Sequence, residues 1–269
     1  MSQFRIEHDL LGDREVPAEV YYGVHTLRAQ ENFQISGTTI SAYPELVTAL
    51  ASVKQAAAEA NAELGLLPEA KLNAIVAACE EIRKGALRDQ FVVDTIQGGA
   101  GTSTNMNANE VICNRALEIL GHQRGEYQHL HPNEDFDMAQ STNDVYPSSL
   151  RIATCFAIDR LLVAMDRLRS DFAAKAVEFA PLLKIGRTQL QDAVPMTLGQ
   201  EFSTCAVMLE EDMARLREAS LLIREINLGA TAIGTGITAH PEYAASDAFA
   251  ASLPIPIGSR RASSAPSRS

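Results

Sequence analysis

From Ile152 to Phe179 the residues Ile152, Cys155, Ile158, Leu162, Met165, Leu168, Phe172, Ala176 and Phe179 recur at intervals of three and four. Between Leu198 and Ile226 a second series repeats the rule through Phe202, Cys205, Leu209, Met213, Leu216, Ala219 and Ile223. That period is one face of an α-helix. Each run of about thirty residues predicts a rod ~45 Å long at 1.5 Å rise per residue. The stripes lack the ordered flanking charges of a two-stranded coiled coil, so the rods belong to a helical bundle. A chain carrying two of them is committed to a mainly α architecture.

Upstream, residues 1 to about 40 mix short β-prone pieces with turn residues. Two amphipathic helices are expected next, Pro44 to Leu64 and Pro68 to Lys84. Each opens with Pro-Glu, which suits a first turn: the missing proline N–H would be unpaired there, and the carboxylate meets the positive end of the helix dipole. Gly65 and Gly85 are placed to end them. A third helix is expected from Asn107 to Leu120, closed by Gly121 and followed by a polar loop, His122 to Gln140.

With 46% apolar residues and a mean hydropathy of −0.05, the chain has the composition of a soluble protein with a sizeable core. A net charge of −11 argues against a nucleic-acid partner, which requires a basic face. The opening MSQFRIEHD has no apolar signal region, and no long uncharged apolar run follows, so a cytoplasmic protein without a membrane span is expected. Cys79, Cys113, Cys155 and Cys205 fall at wide, irregular intervals and read as reduced core thiols. The histidines are scattered without metal-binding spacing, so no metal ligand set is assigned.

Three polar islands interrupt the apolar text: QGGAGTSTNMNANEV (97 to 111), QSTNDVYP (140 to 147) and GRTQLQDAVPMTLGQE (186 to 201). Each collects hydroxyls, carboxamides and glycines just before an apolar-periodic run, where unpaired backbone N–H groups and partial positive charge gather. Lys and His are scarce in them. Such islands suit a small carboxylate held by many neutral hydrogen bonds. One island alone would read sooner as helix capping, with Thr142 and Asn143 standing before Pro147.

Together with EVPAEVYYGVHTLRAQENF (15 to 33), these strings resemble the aspartase/fumarase superfamily, most closely its ammonia-lyase branch, from about Phe4 to Tyr243. The resemblance implies an N-terminal lyase domain, 1–140, and the first two helices of a five-helix central bundle, 141–243, the remainder missing. It also implies a homotetramer and reversible deamination of L-aspartate to fumarate without an organic cofactor, a divalent ion at most modulating activity. Ser141, Thr142 and Thr102 would hold the β-carboxylate that becomes the aci-carboxylate. Asn143, Thr102 and Gln189 would face the amino group, and Thr188 the α-carboxylate. The family's general base belongs to a Gly-Ser-Ser loop followed by Met-Pro, Lys and Asn; that string occurs nowhere in the 269 residues, and Ser263 and Ser264 do not replace it.

Gln189 stands where the hydratases of the family carry His, which favours an amine substrate over a fumarase-type hydration. The third reading is an inactive fragment. His25 and Arg28 lie in the resembling block, either facing the pocket or satisfied structurally. Arg187 and Asp192 are expected to brace the third island's turn. His131 with Asn133 resembles a secondary anion site, weakened by Glu134 and Asp137. Residues 244–269 carry Pro254, Pro256 and a Ser/Arg-rich end, and are expected to be a disordered tail outside the family.

Overall fold

A computed structural model describes residues 3–246 and 248–256. The chain forms two compact units. One comprises the described residues up to Thr154 together with those from Arg224 onward, and the other is Cys155–Ile223.

In the first unit β1 (Phe4–Asp9) and β2 (Gly12–Pro17) pair antiparallel, Phe4 opposite Pro17 and Asp9 opposite Gly12. Helix α1 (Val24–Asn32) follows. The sequence reading has only β-prone pieces and turns here, because Gly23 at the N-cap offers no capping side chain and the compensation comes from distant residues. Helices α2 (Pro44–Glu63) and α3 (Glu69–Arg83) end within two residues of the expected boundaries. Gly65 and Gly85 adopt φ of +71° and +100°. After α2, Gly65 N–H bonds Ala62 O and Leu66 N–H bonds Asn61 O; after α3, Gly85 and Ala86 do the same to Ile82 and Glu81. These are Schellman closures, which satisfy carbonyls the helix leaves open.

Helix α4 (Thr102–Ile119) starts five residues before the expected Asn107, inside the first island. It packs on α1, α2 and α3, and α2 packs on α3. Leu50, Ile75, Ile112 and Leu117 are fully buried between them, each contributing about 1.5–3 kcal/mol of burial. Helix α5 (Thr142–Glu178) is longer than expected because Pro147 does not start it but lies inside it. A proline there removes the N–H that would bond the carbonyl four residues back, Asn143 O. Asn227 supplies the replacement, its Nδ2 donating to Asn143 O at 3.1 Å.

The division between the units falls within α5, whose first turns are held in the first unit by buried Val145 and Ile152; the sequence reading places its boundaries at 140 and 243. The second unit holds the rest of α5, the hairpin of β3 (Leu183–Thr188) and β4 (Gln191–Thr197), and α6 (Leu198–Leu222). The hairpin was not foreseen. Phe202 sits against Phe172 and Phe179, with ring centroids 5.7 and 5.1 Å apart. Gly199 lies so close to the end of α5 that a Cβ there would stand 2.4 Å from Ala176 O. Large apolar residues beside the stripes remain exposed, Leu161 and Val177 of α5 and Met208, Leu221 and Leu222 of α6, as does Leu168 of the α5 stripe itself. Cys205 is only half-buried, against the expectation of a core thiol, whereas Cys79, Cys113 and Cys155 are buried thiols outside any disulfide.

Residues 244–246 and 248–256 are ordered, against the expectation of disorder from 244 onward. Helix α7 (Ala248–Ser252) packs on α2, and Tyr243, Phe249, Leu253 and Ile255 are buried. Four large apolar side chains within thirteen residues offset the ordering cost that the composition suggests would prevail. Residues 257–269 lie outside the described residues. No helix of the described residues is long and apolar enough to cross a membrane.

Candidate functional site

The first island builds the start of α4 without an N-cap side chain. Gly101, at φ +91°, is the N-cap. Gln97 does the capping from four residues upstream: its Oε1 accepts Thr104 N–H at 2.9 Å, and its Nε2 donates to Thr104 Oγ1 and Asp94 O, both at 2.9 Å. Asp94 is anchored in turn by Ile35, Ser36, Gly37 and Ile96 N–H and by the Ser36 hydroxyl. The Ile96 N–H, then the Ser36 hydroxyl, hold its carboxyl well below the usual carboxylate range. Thr102 is exposed at the helix start and donates its hydroxyl to Gly99 O at 2.6 Å.

The second island caps α5 through Ser141. Its Oγ accepts Asn143 N–H at 3.2 Å, and Asp144 Oδ1 accepts Ser141 N–H at 2.9 Å, a capping pair closed by an acid at the third helical position. The same buried Asp144 accepts Gly229 N–H at 3.1 Å and Thr231 N–H at 2.9 Å, tying the loop after α6 to the start of α5. Burial raises the Asp144 pKa despite these three donors. Asn143 Nδ2 donates to Ala232 O at 2.6 Å, which leaves Oδ1 as the acceptor suited to an ammonium. The capping expected of this island is therefore present.

Both helix starts border one cavity of about 380 Å³, with Gln97, Ala100 and Gly101 on one side and Asn143, Tyr146 and Pro147 on the other. Beneath it lies a buried ionic support that sequence reasoning missed. Lys54 of α2 is fully buried and donates to Asp137 Oδ1 and Gln140 Oε1, both at 2.9 Å. Asn105 Nδ2 reaches Asp137 Oδ1 at 3.1 Å and Thr142 Oγ1 at 3.4 Å. A signal existed: Lys54 and Asn61 on α2, and Asn105 and Asn109 on α4, are polar residues on helix faces that also carry buried apolar ones. Of the six assigned residues, Thr102, Ser141, Thr142 and Asn143 gather in the first unit around these two helix starts.

Thr188 and Gln189 belong to the second unit, at the tip of the β3–β4 hairpin, and are exposed. Gln189 and Leu190, the two loop residues, have φ of +48° and +64°, as a type I′ turn requires but normally only Asn or Gly tolerates. Arg187 pairs with Asp192 at 3.3 Å across the strands, bracing the turn as expected. Thr197 and Gln200, the end of the island, form a full capping box for α6. Among the described non-glycine residues with positive φ, all but Leu87 lie in or against the islands: Ala100, Ala139, Gln189, Leu190 and Thr231. Backbone strain of that kind concentrates where function fixes geometry.

His25 and Arg28 are each satisfied by an acid. Arg28 makes a two-point contact with Asp9 at 2.7 and 2.9 Å. At the start of α1, Glu110 of α4 accepts Gly23, His25 and Thr26 N–H, and Glu7 accepts Val24 N–H; these carboxylates are the missing cap. His25 Nδ1 lies 3.1 Å from Glu110 Oε1, and that hydrogen bond raises the imidazole pKa above its ordinary 6.5. A raised histidine pKa contributes stability that is full below about 6.5 and lost as pH rises through the folded value. We expect NMR titration to place His25 above free histidine, and amide exchange over residues 23–26 to quicken as pH passes that value. A titration at or below 6.5 contradicts this. His131 Nδ1 accepts Asn133 and Glu134 N–H at 3.1 and 3.2 Å and so serves its own turn.

Fold and site together define a mainly helical protein that gathers hydroxyls and carboxamides at the first turns of α4 and α5. The chain matches the lyase family model over residues 12–255 and belongs to that family. It is 62% identical over 245 residues to the aspartate ammonia-lyase of Pseudomonas canavaninivorans, covering 91% of this chain and 52% of that protein. With the aspartate ammonia-lyase of Escherichia coli K12 it shares 56% over 243 residues, 90% of this chain and 51% of that one. Among solved structures it resembles the fumarate lyase:delta crystallin of Brucella melitensis, with TM-score 0.93 and 55% identity over 95% of this chain and 56% of that chain. The class II fumarase of Schistosoma mansoni aligns with TM-score 0.86 and 34% identity over 93% of this chain and 52% of that one. The chain thus spans about half the length of the relatives it matches.

Proposed function

We propose that the helix starts of α4 and α5 bind a small dicarboxylic amino acid, and that the complete enzyme reversibly deaminates L-aspartate to fumarate and ammonia. The observation that carries the reading is that the starts of α4 and α5 border one cavity, lined by Gln97 and Gly101 on one side and Asn143 on the other, with Thr102, Ser141 and Thr142 close in the chain to these lining residues. Removing a proton from the carbon next to a carboxylate leaves a dianionic aci-carboxylate, and prearranged donors are worth a few kcal/mol each where that charge grows. Thr102, Ser141 and Thr142 are assigned to the β-carboxylate, Asn143 and Gln189 with Thr102 to the amino group, and Thr188 to the α-carboxylate. The proton itself is taken by a serine loop that resemblance assigns outside these 269 residues. The exposed apolar residues of α5 and α6, among them Leu161, Leu168, Val177, Met208 and Leu221, are what the remaining bundle and a homotetramer would cover, in the cytoplasm.

The structural likeness to a class II fumarase supports hydration of fumarate as the second reading. Fumarate formation followed by ultraviolet absorbance, with L-aspartate and L-malate compared on the complete enzyme, separates the two. Preference for L-aspartate is expected, with Thr142→Ala and Gln189→Ala each lowering kcat/KM at least 100-fold, about 2.7 kcal/mol; preference for malate would reject the deaminase. The 269-residue chain assayed beside it is expected to be inactive, and turnover near that of the complete enzyme would refute the need for the serine loop.

A further inference from the structure

We propose that His122, Glu126 and His129 form a binding site for one divalent transition-metal ion of the zinc or nickel class, separate from the donors at the starts of α4 and α5. Their ligand atoms all lie within 4.8 Å of one another. His122 Nδ1 stands 3.6 Å from Glu126 Oε2, and the two imidazole rings stack with centroids 3.8 Å apart. Ligands about 2.0–2.1 Å from a shared tetrahedral ion are about 3.4 Å from one another. Side-chain rotation alone closes that difference, and both His122 and Glu126 are only half-buried.

The backbone that presents these ligands is already fixed. His122 N–H bonds Leu117 O at 2.9 Å in the closure of α4. Gly125 N–H donates to Asn114 Oδ1 at 2.8 Å, and Arg124 lies 3.9 Å over the Tyr21 ring while pairing with Glu118. Beyond them Tyr127 donates to Glu7 at 3.1 Å. Gln123 N–H donates to Glu126 Oε2 at 2.9 Å, the oxygen that faces His122 Nδ1, and so fixes the carboxylate as an outer-shell partner does. A loop ordered in advance spends little of the binding energy on ordering.

Two imidazoles and one carboxylate form a borderline donor set, which favours zinc or nickel over magnesium, an ion that prefers oxygen ligands and retains its water. Exposure of the group leaves the remaining coordination positions to solvent. The spacing of four and then three residues matches no metal motif, which is why the sequence assigns no ligand set; the turns between 122 and 129 bring the groups together. Here the structure adds what that expectation lacked.

The test titrates ZnCl₂ into the 269-residue chain against a chromophoric chelator, with MgCl₂ as the comparison ion. One zinc ion per chain is expected, unaffected by excess magnesium. His122→Ala, Glu126→Gln and His129→Ala are each expected to weaken binding at least tenfold, and His240→Ala to leave it unchanged. In the unsubstituted chain, NiCl₂ is expected to broaden the imidazole resonances of His122 and His129 before those of the other histidines. Absence of a stoichiometric zinc ion, equal binding by the three variants, or first broadening at another histidine overturns the proposal.

Discussion

Lys54→Met is expected to destabilise the first unit by about 3–5 kcal/mol, the range for removing one partner of a buried ion pair. The methionine keeps the stem's volume, so the loss falls on charge. Asp137 would keep Asn105 and Asn109 as donors but lose its cation. Burial opposes ionisation of Asp137; Lys54, aided by those two amides, nevertheless holds its carboxyl below the ordinary value. An acid with a depressed pKa contributes stability present above its unfolded value, about 3.9, and lost as pH falls through the folded one. In the variant the acid limb of the stability profile should therefore flatten. Urea denaturation across pH 3 to 7, about the range in which that limb lies, measures both effects. A loss below about 1 kcal/mol would show that the pair is worth no more than a surface contact. The double variant Lys54→Met with Asp137→Leu should recover part of the stability, because no stranded charge remains.

Gly101→Ala is expected to cost about 2–4 kcal/mol, from two sources that can be separated. The first is conformational, since φ is +91° and an L-residue with a Cβ pays about 1–2 kcal/mol in the left-handed region. The second is steric: an added Cβ would stand 2.4 Å from two atoms of the Tyr146 ring, and overpacking of that kind costs about 1–3 kcal/mol. Tyr146→Ala in the same background removes the clash and leaves the backbone cost. The two substitutions should thus be non-additive, Gly101→Ala being less harmful when Tyr146 is absent. Equal cost in both backgrounds would mean that the α4 start and the Tyr146 ring do not touch in solution. Because Gly101 and Tyr146 border the same cavity, the substitution also reports on how tightly the first two islands are held.

The long periodic runs read correctly because a stripe of period 3.6 is written in adjacent residues, and Gly65, Gly85 and Gly121 mark helix ends through local geometry. Errors arose wherever the decisive partner was distant. Helix α1 was missed because Glu110 and Glu7, not its own N-cap, satisfy its first turn. Helix α4 was started late because the Gln97 side chain, not a residue at the cap position, begins it. Pro147 read as a helix start, since nothing local announces that Asn227 will serve the carbonyl it abandons. The order of 248–256 follows from a face of α2 that composition cannot display. At the candidate site, the hydroxyls and amides of the islands were legible as types, but Lys54 and Asp137, eighty-three positions apart, were not legible as a pair.

By itself the sequence determined that this chain is helical, where its rods run and which neutral donors crowd the helix starts, since these depend on propensity and periodicity over a few turns. Only the tertiary structure decided how those starts are capped, which residues accept positive φ, and that His122, Glu126 and His129 share one surface. The physical reason is that hydrogen bonds and ion pairs act over about three ångströms, and residues far apart in the chain come within that distance only after folding.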